Sequence, residues 1–226
     1  MTTATQPPTQ APIEGPSAWR RSGLRPEDYR ITLSAAAGDE IRRLADEFAR
    51  FPLPTILRRP EELELPHCRG AMAEVRRILE QGVRFAIVDG LPLAAIGTEA
   101  AIAVYWLLAS MVARPVAQSL DGRLIYDVLD TGKAALPGSG VRPDQTNIEL
   151  KFHTDNSYNR TPPEHVALLC LRTAQQGGHS RVASFHTLHN ALLARHPAAL
   201  PRLFEPFWFD RQREFFAGEP APALVP

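Results

Sequence analysis

The sequence is short of cysteine, of net charge and of long apolar runs, and each shortage removes a class of protein. Two cysteines in 226 residues, Cys68 and Cys170, cannot staple a small secreted scaffold or build a cysteine-rich zinc module. Reduced thiols and a cytoplasmic location are therefore expected. Twenty-five basic residues against twenty-five acidic ones leave a formal charge of zero. That balance offers no electrostatic attraction to nucleic acid or to an anionic membrane, so neither is expected as a partner. The pairs Arg20-Arg21, Arg42-Arg43 and Arg76-Arg77 read as solvated helix faces. No basic stretch with an apolar core follows Met1, so no secretory signal is read there. The most apolar helical stretch, residues 98–113 with Trp106 and Met111, is short and well bounded, which suits a core helix better than a membrane span.

What is present is a chain 44% hydrophobic, enough for one sizeable core. Residues 1–18 are rich in Thr, Pro, Gln and Ala and are expected to be a disordered tail, with a single domain over 19–226. Tyr29, Ile31 and Leu33 alternate with polar residues, as in a short strand. Ile41, Leu44 and Phe48 predict an amphipathic helix over 35–50, stopped by Pro52 and Pro54. A second helix is expected over 67–81, with Met72, Val75 and Leu79 inward and Gly82 at its end. Residues 84–88 read as a buried strand and 124–129 as another, with a Gly/Pro loop over 130–143. A last helix is expected over 186–195, with Leu188, Ala191 and Leu192 on one face, then a strand over 206–213 carrying Trp208.

The chemistry concentrates in residues 149–184. In a strand, residues two apart share a face, so Ile148, Leu150 and Phe152 form an apolar side. Glu149, Lys151, His153 and Asp155 form the polar side, which lets an imidazole and a carboxylate converge on one point. Such a pair supplies two of the three ligands of a 2-His-1-carboxylate site for non-haem Fe(II), a site that keeps positions open for co-substrates. An isolated H-x-D is common and equally suits a hydrogen-bonded surface pair. Here it precedes a Pro162-Pro163 turn, an apolar run over 166–171 read as a buried strand containing Cys170, a Gly177-Gly178 turn, and a short strand over 180–184.

This string resembles the iron(II)/2-oxoglutarate-dependent dioxygenases of the taurine dioxygenase and clavaminate synthase-like family. The residues that carry the resemblance are Phe152-His153-Thr154-Asp155, Pro162-Pro163, Leu168–Arg172 and Gly177-Gly178-His179-Ser180. The resemblance implies an α+β fold built on a double-stranded β-helix, or jelly roll, with flanking helices. It implies Fe(II) held by His153 and Asp155, with 2-oxoglutarate and O2 as co-substrates and Ser180 hydrogen-bonded to a 2-oxoglutarate carboxylate. The implied reaction hydroxylates or otherwise oxidises a C–H bond of a small-molecule substrate, an amino acid among the candidates. Gln118, Glu149 and Asn156 are candidate substrate contacts, with pairing between Glu149 and Lys151 and a turn role for Asn156 as plainer alternatives.

The family also supplies a distal histidine and, after it, an arginine that forks onto the far carboxylate of 2-oxoglutarate. No N-x-x-x-x-H-x-R pattern on a strand follows His153. The jelly roll is thus expected to be incomplete at the C-terminus. The alternative is a non-catalytic fragment of such an enzyme, whose unpaired sheet edges would favour a homo-oligomer or aggregation. A third reading is a zinc hydrolase combining His153 and Asp155 with His186 or His189, which lie three apart on a helix.

Overall fold

Ser34 opens the first helix. Its hydroxyl accepts the Ala37 backbone N–H at 3.1 Å and caps α1 (Ala35–Arg50). Ala37, Ile41, Leu44 and Phe48 recur at three- and four-residue intervals and are buried, so the expected amphipathic helix forms. In the computed structural model, residues 11–119, 121–134, 141, 143–157 and 161–208 are described. Helix α2 (Pro66–Gln81) begins on Pro66, whose missing N–H is no loss in a first turn, and ends at Gly82. It buries Cys68, Met72, Val75 and Ile78, so Ile78 takes the inward place expected of Leu79.

Helix α3 (Leu93–Val112) starts five residues before the expected position, with a break at Gly97, whose φ of 75° favours glycine. Its length and mean hydropathy of 1.6 would allow a membrane span. Ala101, Ala103, Val104, Trp106, Leu107 and Leu108 are nevertheless buried, and α3 packs on both α1 and α2, which also touch each other. The indole N–H of Trp106 donates to the Arg58 carbonyl at 3.0 Å, and the Arg58 guanidinium lies 3.6 Å from the centre of the Phe48 ring.

A buried charge joins two of these helices. Glu40, on the inner face of α1, is 2% exposed. Its Oε1 accepts the His67 backbone N–H at 3.0 Å and lies 2.7 Å from His67 Nδ1; its Oε2 accepts the Cys68 N–H at 2.9 Å. Leu65 contributes no capping side chain to α2, so a carboxylate from α1 satisfies the free N–H groups of its first turn. Burial opposes ionisation of Glu40, but the hydrogen bonds from His67 and Cys68 outweigh it and hold the carboxyl down to about 2. Burial and the neighbouring carboxylate push the Cys68 thiol up to about 12, which makes it an inert thiol.

Strands β1 (Arg30–Thr32) and β2 (Ile87–Asp89) pair in parallel, Arg30 opposite Ile87 and Thr32 opposite Asp89. The two helices α1 and α2 form the crossover that a parallel pair requires. Arg30 Nη1 donates to Asp89 Oδ2 across the pair at 2.8 Å. The strand expected over 84–88 is displaced, because Arg84 has a φ of 69° and the ladder begins only at Ile87, which is exposed.

The chain divides into two compact units, Met1–Arg114 with Ala167–Phe204 and Pro115–Val166 with Glu205–Pro226, where composition suggests one domain over 19–226. Helix α4 (Phe185–Arg195), in the first unit, is capped by the Ser184 hydroxyl, which accepts the Thr187 N–H at 2.9 Å. It buries none of its residues, so the apolar face expected inward through Leu188, Ala191 and Leu192 is not sealed. Its polar side is the attached one, and what attaches there is part of the stretch expected to be a disordered tail. Residues 1–10 lie outside the described residues, whereas Ile13 and Ser17 hydrogen-bond to α4.

In the second unit the regular element among the described residues is a 3-10 turn, Pro143–Gln145. The strands expected over 124–129 and 148–155 are irregular, as are 166–171, whose first residue closes this stretch of the second unit, and 180–184 in the first unit. Of the strand expected over 206–213, residues 206–208 are irregular and the rest lie outside the described residues. A fragment of pairing survives where Leu129 N donates to Asp144 O at 3.2 Å and Thr131 N to Gln145 O at 2.9 Å, anchoring both ends of the 130–143 loop. The physical reason is non-local: a strand's N–H and C=O groups need a partner strand, and none lies beside these runs among the described residues. Their apolar side chains are left in water, with Phe152 66% and Leu168 73% exposed. Cys170, expected inside a buried strand, is exposed for the same reason. The architecture is therefore mixed α and β with two strands among the described residues, and the jelly roll is not among them.

Candidate functional site

His153 and Asp155 do converge, although not as neighbours on one face of a strand. The segment 147–154 is irregular, and a turn over 155–157 follows. Asn156 sits in the turn at φ 50°, a left-handed conformation that asparagine tolerates better than most residues. His153 Nδ1 lies 2.6 Å from the Lys151 carbonyl oxygen, and His153 Nε2 lies 3.2 Å from Asp155 Oδ1. The two side chains are 51% and 44% exposed, so the pair opens to solvent.

These contacts define what the pair can hold. A carbonyl only accepts, so Nδ1 carries the proton, and in the neutral ring Nε2 presents a lone pair. Nε2 and the carboxylate oxygen are then two acceptors facing each other, an arrangement stable only when a proton or a cation lies between them. Two ligands about 2.1 Å from one metal and at right angles to each other stand about 3 Å apart, so the separation suits a shared cation. The spacing of His153 and Asp155 is thus compatible with two ligands of one metal ion, with the Lys151 carbonyl meeting the other ring nitrogen. Among the described residues no group of three or more His, Cys, Asp or Glu side chains gathers to hold a metal.

The other expected residues are dispersed. Ser180 is exposed in the first unit, after Gly177 and Gly178, both at left-handed φ. Gln118, in the second unit, is exposed and donates through Nε2 to the Leu124 carbonyl at 2.8 Å, closing the turn at Gly122. Glu149 is exposed and Asn156 half-buried in the same unit. His186, a ligand in the zinc alternative, is engaged through Nδ1 with the Ser17 hydroxyl at 2.7 Å and belongs, like His189, to the first unit.

The polar cluster that periodicity did not bring out is Glu40 with His67 and Cys68. Its signal lay in Pro66 opening a helix with no Ser, Thr, Asp or Asn before it, a first turn that needs an acceptor from elsewhere. The cleft beside it is lined by Asp39, Glu40, Arg43, Glu64, Pro66 and His67. Every oxygen of Glu40 is already committed to the α2 terminus, so this cluster is a cap and not a reactive site.

Comparison with known proteins bears on this arrangement. The profile of the family described as "Taurine catabolism dioxygenase TauD, TfdA family" matches residues 51–224. The chain is 27% identical over 210 residues to FR-33289 synthase of Streptomyces rubellomurinus, covering 92% of this chain and 60% of that protein. It is 24% identical over 190 residues to taurine hydroxylase-like protein SAT17 of Stachybotrys chartarum, covering 81% of this chain and 48% of that protein. The chain therefore spans about half to three-fifths of the length of these relatives.

Proposed function

Because this chain belongs to the TauD, TfdA family of taurine catabolism dioxygenases, we propose that it contributes the His-x-Asp part of a non-haem iron(II), 2-oxoglutarate-dependent site. The observation that carries this reading is the pairing of His153 Nε2 with Asp155 Oδ1 at 3.2 Å, with Nδ1 already spent on the Lys151 carbonyl. Bound iron would supply oxidation of a C–H bond by O2, coupled to decarboxylation of 2-oxoglutarate to succinate.

This chain's own residues would then bind and orient. His153 would donate through Nε2 and Asp155 through Oδ1, and the Lys151 carbonyl would keep the ring in the tautomer that leaves Nε2 free. The Ser180 hydroxyl would seat a carboxylate of 2-oxoglutarate. Gln118, Glu149 and Asn156 would meet the polar groups of a small cytoplasmic metabolite, an amino acid or a related acid or amine. Binding needs a neutral imidazole and an ionised carboxylate, so iron affinity falls in acid. On this reading the extended runs 148–155 and 166–171 are strands of a double-stranded β-helix that form their ladders only when further strands meet them.

The exposure of Phe152 and Leu168 and the lack of a third candidate ligand beside His153 and Asp155 among the described residues favour a second reading, a family segment without activity of its own that self-associates as a homo-oligomer. Anaerobic titration of the purified chain with Fe(II) and 2-oxoglutarate separates the two. The first reading expects a metal-to-ligand charge-transfer band that disappears in His153→Ala and in Asp155→Ala, while far-ultraviolet circular dichroism stays unchanged. Absence of the band in the unaltered chain would leave the family membership standing and remove the claim that this polypeptide assembles the site.

A further inference from the structure

Helix α4 is held by its polar side. Ser184, Thr187 and Asn190 recur every three residues, which places them along one flank of the helix. Each contacts the same segment near the N-terminus, which turns at Gly15, where the Ala18 N–H donates to the Gly15 carbonyl at 3.1 Å. Asn190 reads the backbone of Ile13 in both directions: its Oδ1 accepts the Ile13 N–H at 2.7 Å, and its Nδ2 donates to the Ile13 carbonyl at 2.8 Å. Ser184 Oγ donates to the Ser17 carbonyl at 2.6 Å while accepting the Thr187 N–H that caps the helix. Thr187 Oγ1 donates to the Trp19 carbonyl at 2.6 Å, and the Ser17 hydroxyl pairs with His186 Nδ1 at 2.7 Å.

The far end of that segment is anchored in the first unit. The Trp19 indole N–H donates to the Val83 carbonyl at 2.7 Å, and its ring packs on Phe85 with centroids 5.3 Å apart. By contrast α4 buries no side chain, Phe185 and Leu188 are exposed, and the element packed most closely against it is the 3-10 turn Leu200–Phe204. The hydrogen bonds to residues 13–19 are thus a polar attachment of α4 to the body of the unit.

We infer that residues 13–19 are a strap that positions α4, and with it the run 177–184 that leads into the helix and carries Ser180. Ser184, Thr187 and Asn190 are its receptor and act as positioning residues. The consequence for 2-oxoglutarate rests on the reading of Ser180 given above; the strap itself does not.

Hydrogen exchange on the full chain tests it. Asn190→Ala should speed exchange of the α4 amides about tenfold, as expected when a two-way backbone contact is lost, with α1 amides unchanged as the internal reference. Deleting residues 1–18 while keeping Trp19 should speed it further, and adding a synthetic peptide of residues 11–18 should restore protection in α4 alone. Unchanged α4 exchange in both variants would overturn the strap, as would equal acceleration in α1 and α4. The 2-oxoglutarate concentration that half-saturates the charge-transfer band is a separate readout: if α4 loosens and that concentration stays put, the strap stands and the role of Ser180 falls.

Discussion

Leu107 and Phe152 are both large apolar side chains set in regular patterns, yet Leu107 is 0% exposed and Phe152 is 66% exposed. The difference lies in where each backbone finds its partners. Leu107 belongs to α3, whose N–H groups bond four residues back along the same segment, so its backbone needs no second segment. Its apolar face meets α1 and α2, whose backbones are satisfied in the same way. Phe152 lies in a run whose alternation fits a strand, but a strand's partners are on another segment, and the described residues form no strand ladder there. The helical region is held by local bonds and shared burial; the run that carries His153 and Asp155 would need strand pairing that the described residues do not show.

The largest expected effects fall in the helical region. Leu107→Ala should cost about 3 kcal/mol or more in urea-induced unfolding, through lost burial and a residual cavity between three helices. Leu168→Ala, at a side chain that touches mostly water, should stay within about 0.5 kcal/mol. Glu40 comes next. Its carboxyl stands at about 2 in the folded chain against an ordinary glutamate value of 4.5, so the folded form holds the ionised state more tightly. That contribution is fully present above pH 4.5 and is lost as the pH falls toward 2. It amounts to roughly 3 kcal/mol on the usual conversion. Glu40→Gln should therefore be less stable than the unaltered chain at neutral pH and close to it at pH 2, with a flatter stability profile between. Equal profiles for the two proteins would remove the carboxylate cap from the account.

How much could be read in advance follows the same division. The spacing of Ile41, Leu44 and Phe48, the Ser34 cap and the prolines after Phe51 are local signals, and α1 obeys them. That His153 and Asp155 can approach each other was readable because two residues separated by one can meet in a strand or, as here, across a bend and a turn. The strand itself was not, because alternation states what a segment would do with a partner and says nothing of whether the partner is present. Cys170 shows the cost of overlooking this: an apolar run looks buried whatever lies beside it. The carboxylate of Glu40 escaped because a buried acid on a helix face has no periodic signature, and its partners lie at His67 and Cys68 on a different helix. Residues 11–18 escaped because a Pro- and Ala-rich composition argues only that a segment buries little, while Asn190 reads its backbone.

The smallest expected effect tests the contrast most directly. Phe152 is adjacent to His153, and if its run were packed in a sheet, Phe152→Ala would cost about 3–5 kcal/mol. At its observed exposure the change should stay within about 0.5 kcal/mol in denaturant unfolding followed by circular dichroism. The same substitution should leave the protection of α1 to hydrogen exchange unchanged, because α1 is held by its own packing on α2 and α3. A loss of several kcal/mol would place Phe152 in a packed core in solution, by self-association or by strand pairing. Repeating the measurement over a range of protein concentrations separates these causes, since only self-association makes the loss concentration-dependent.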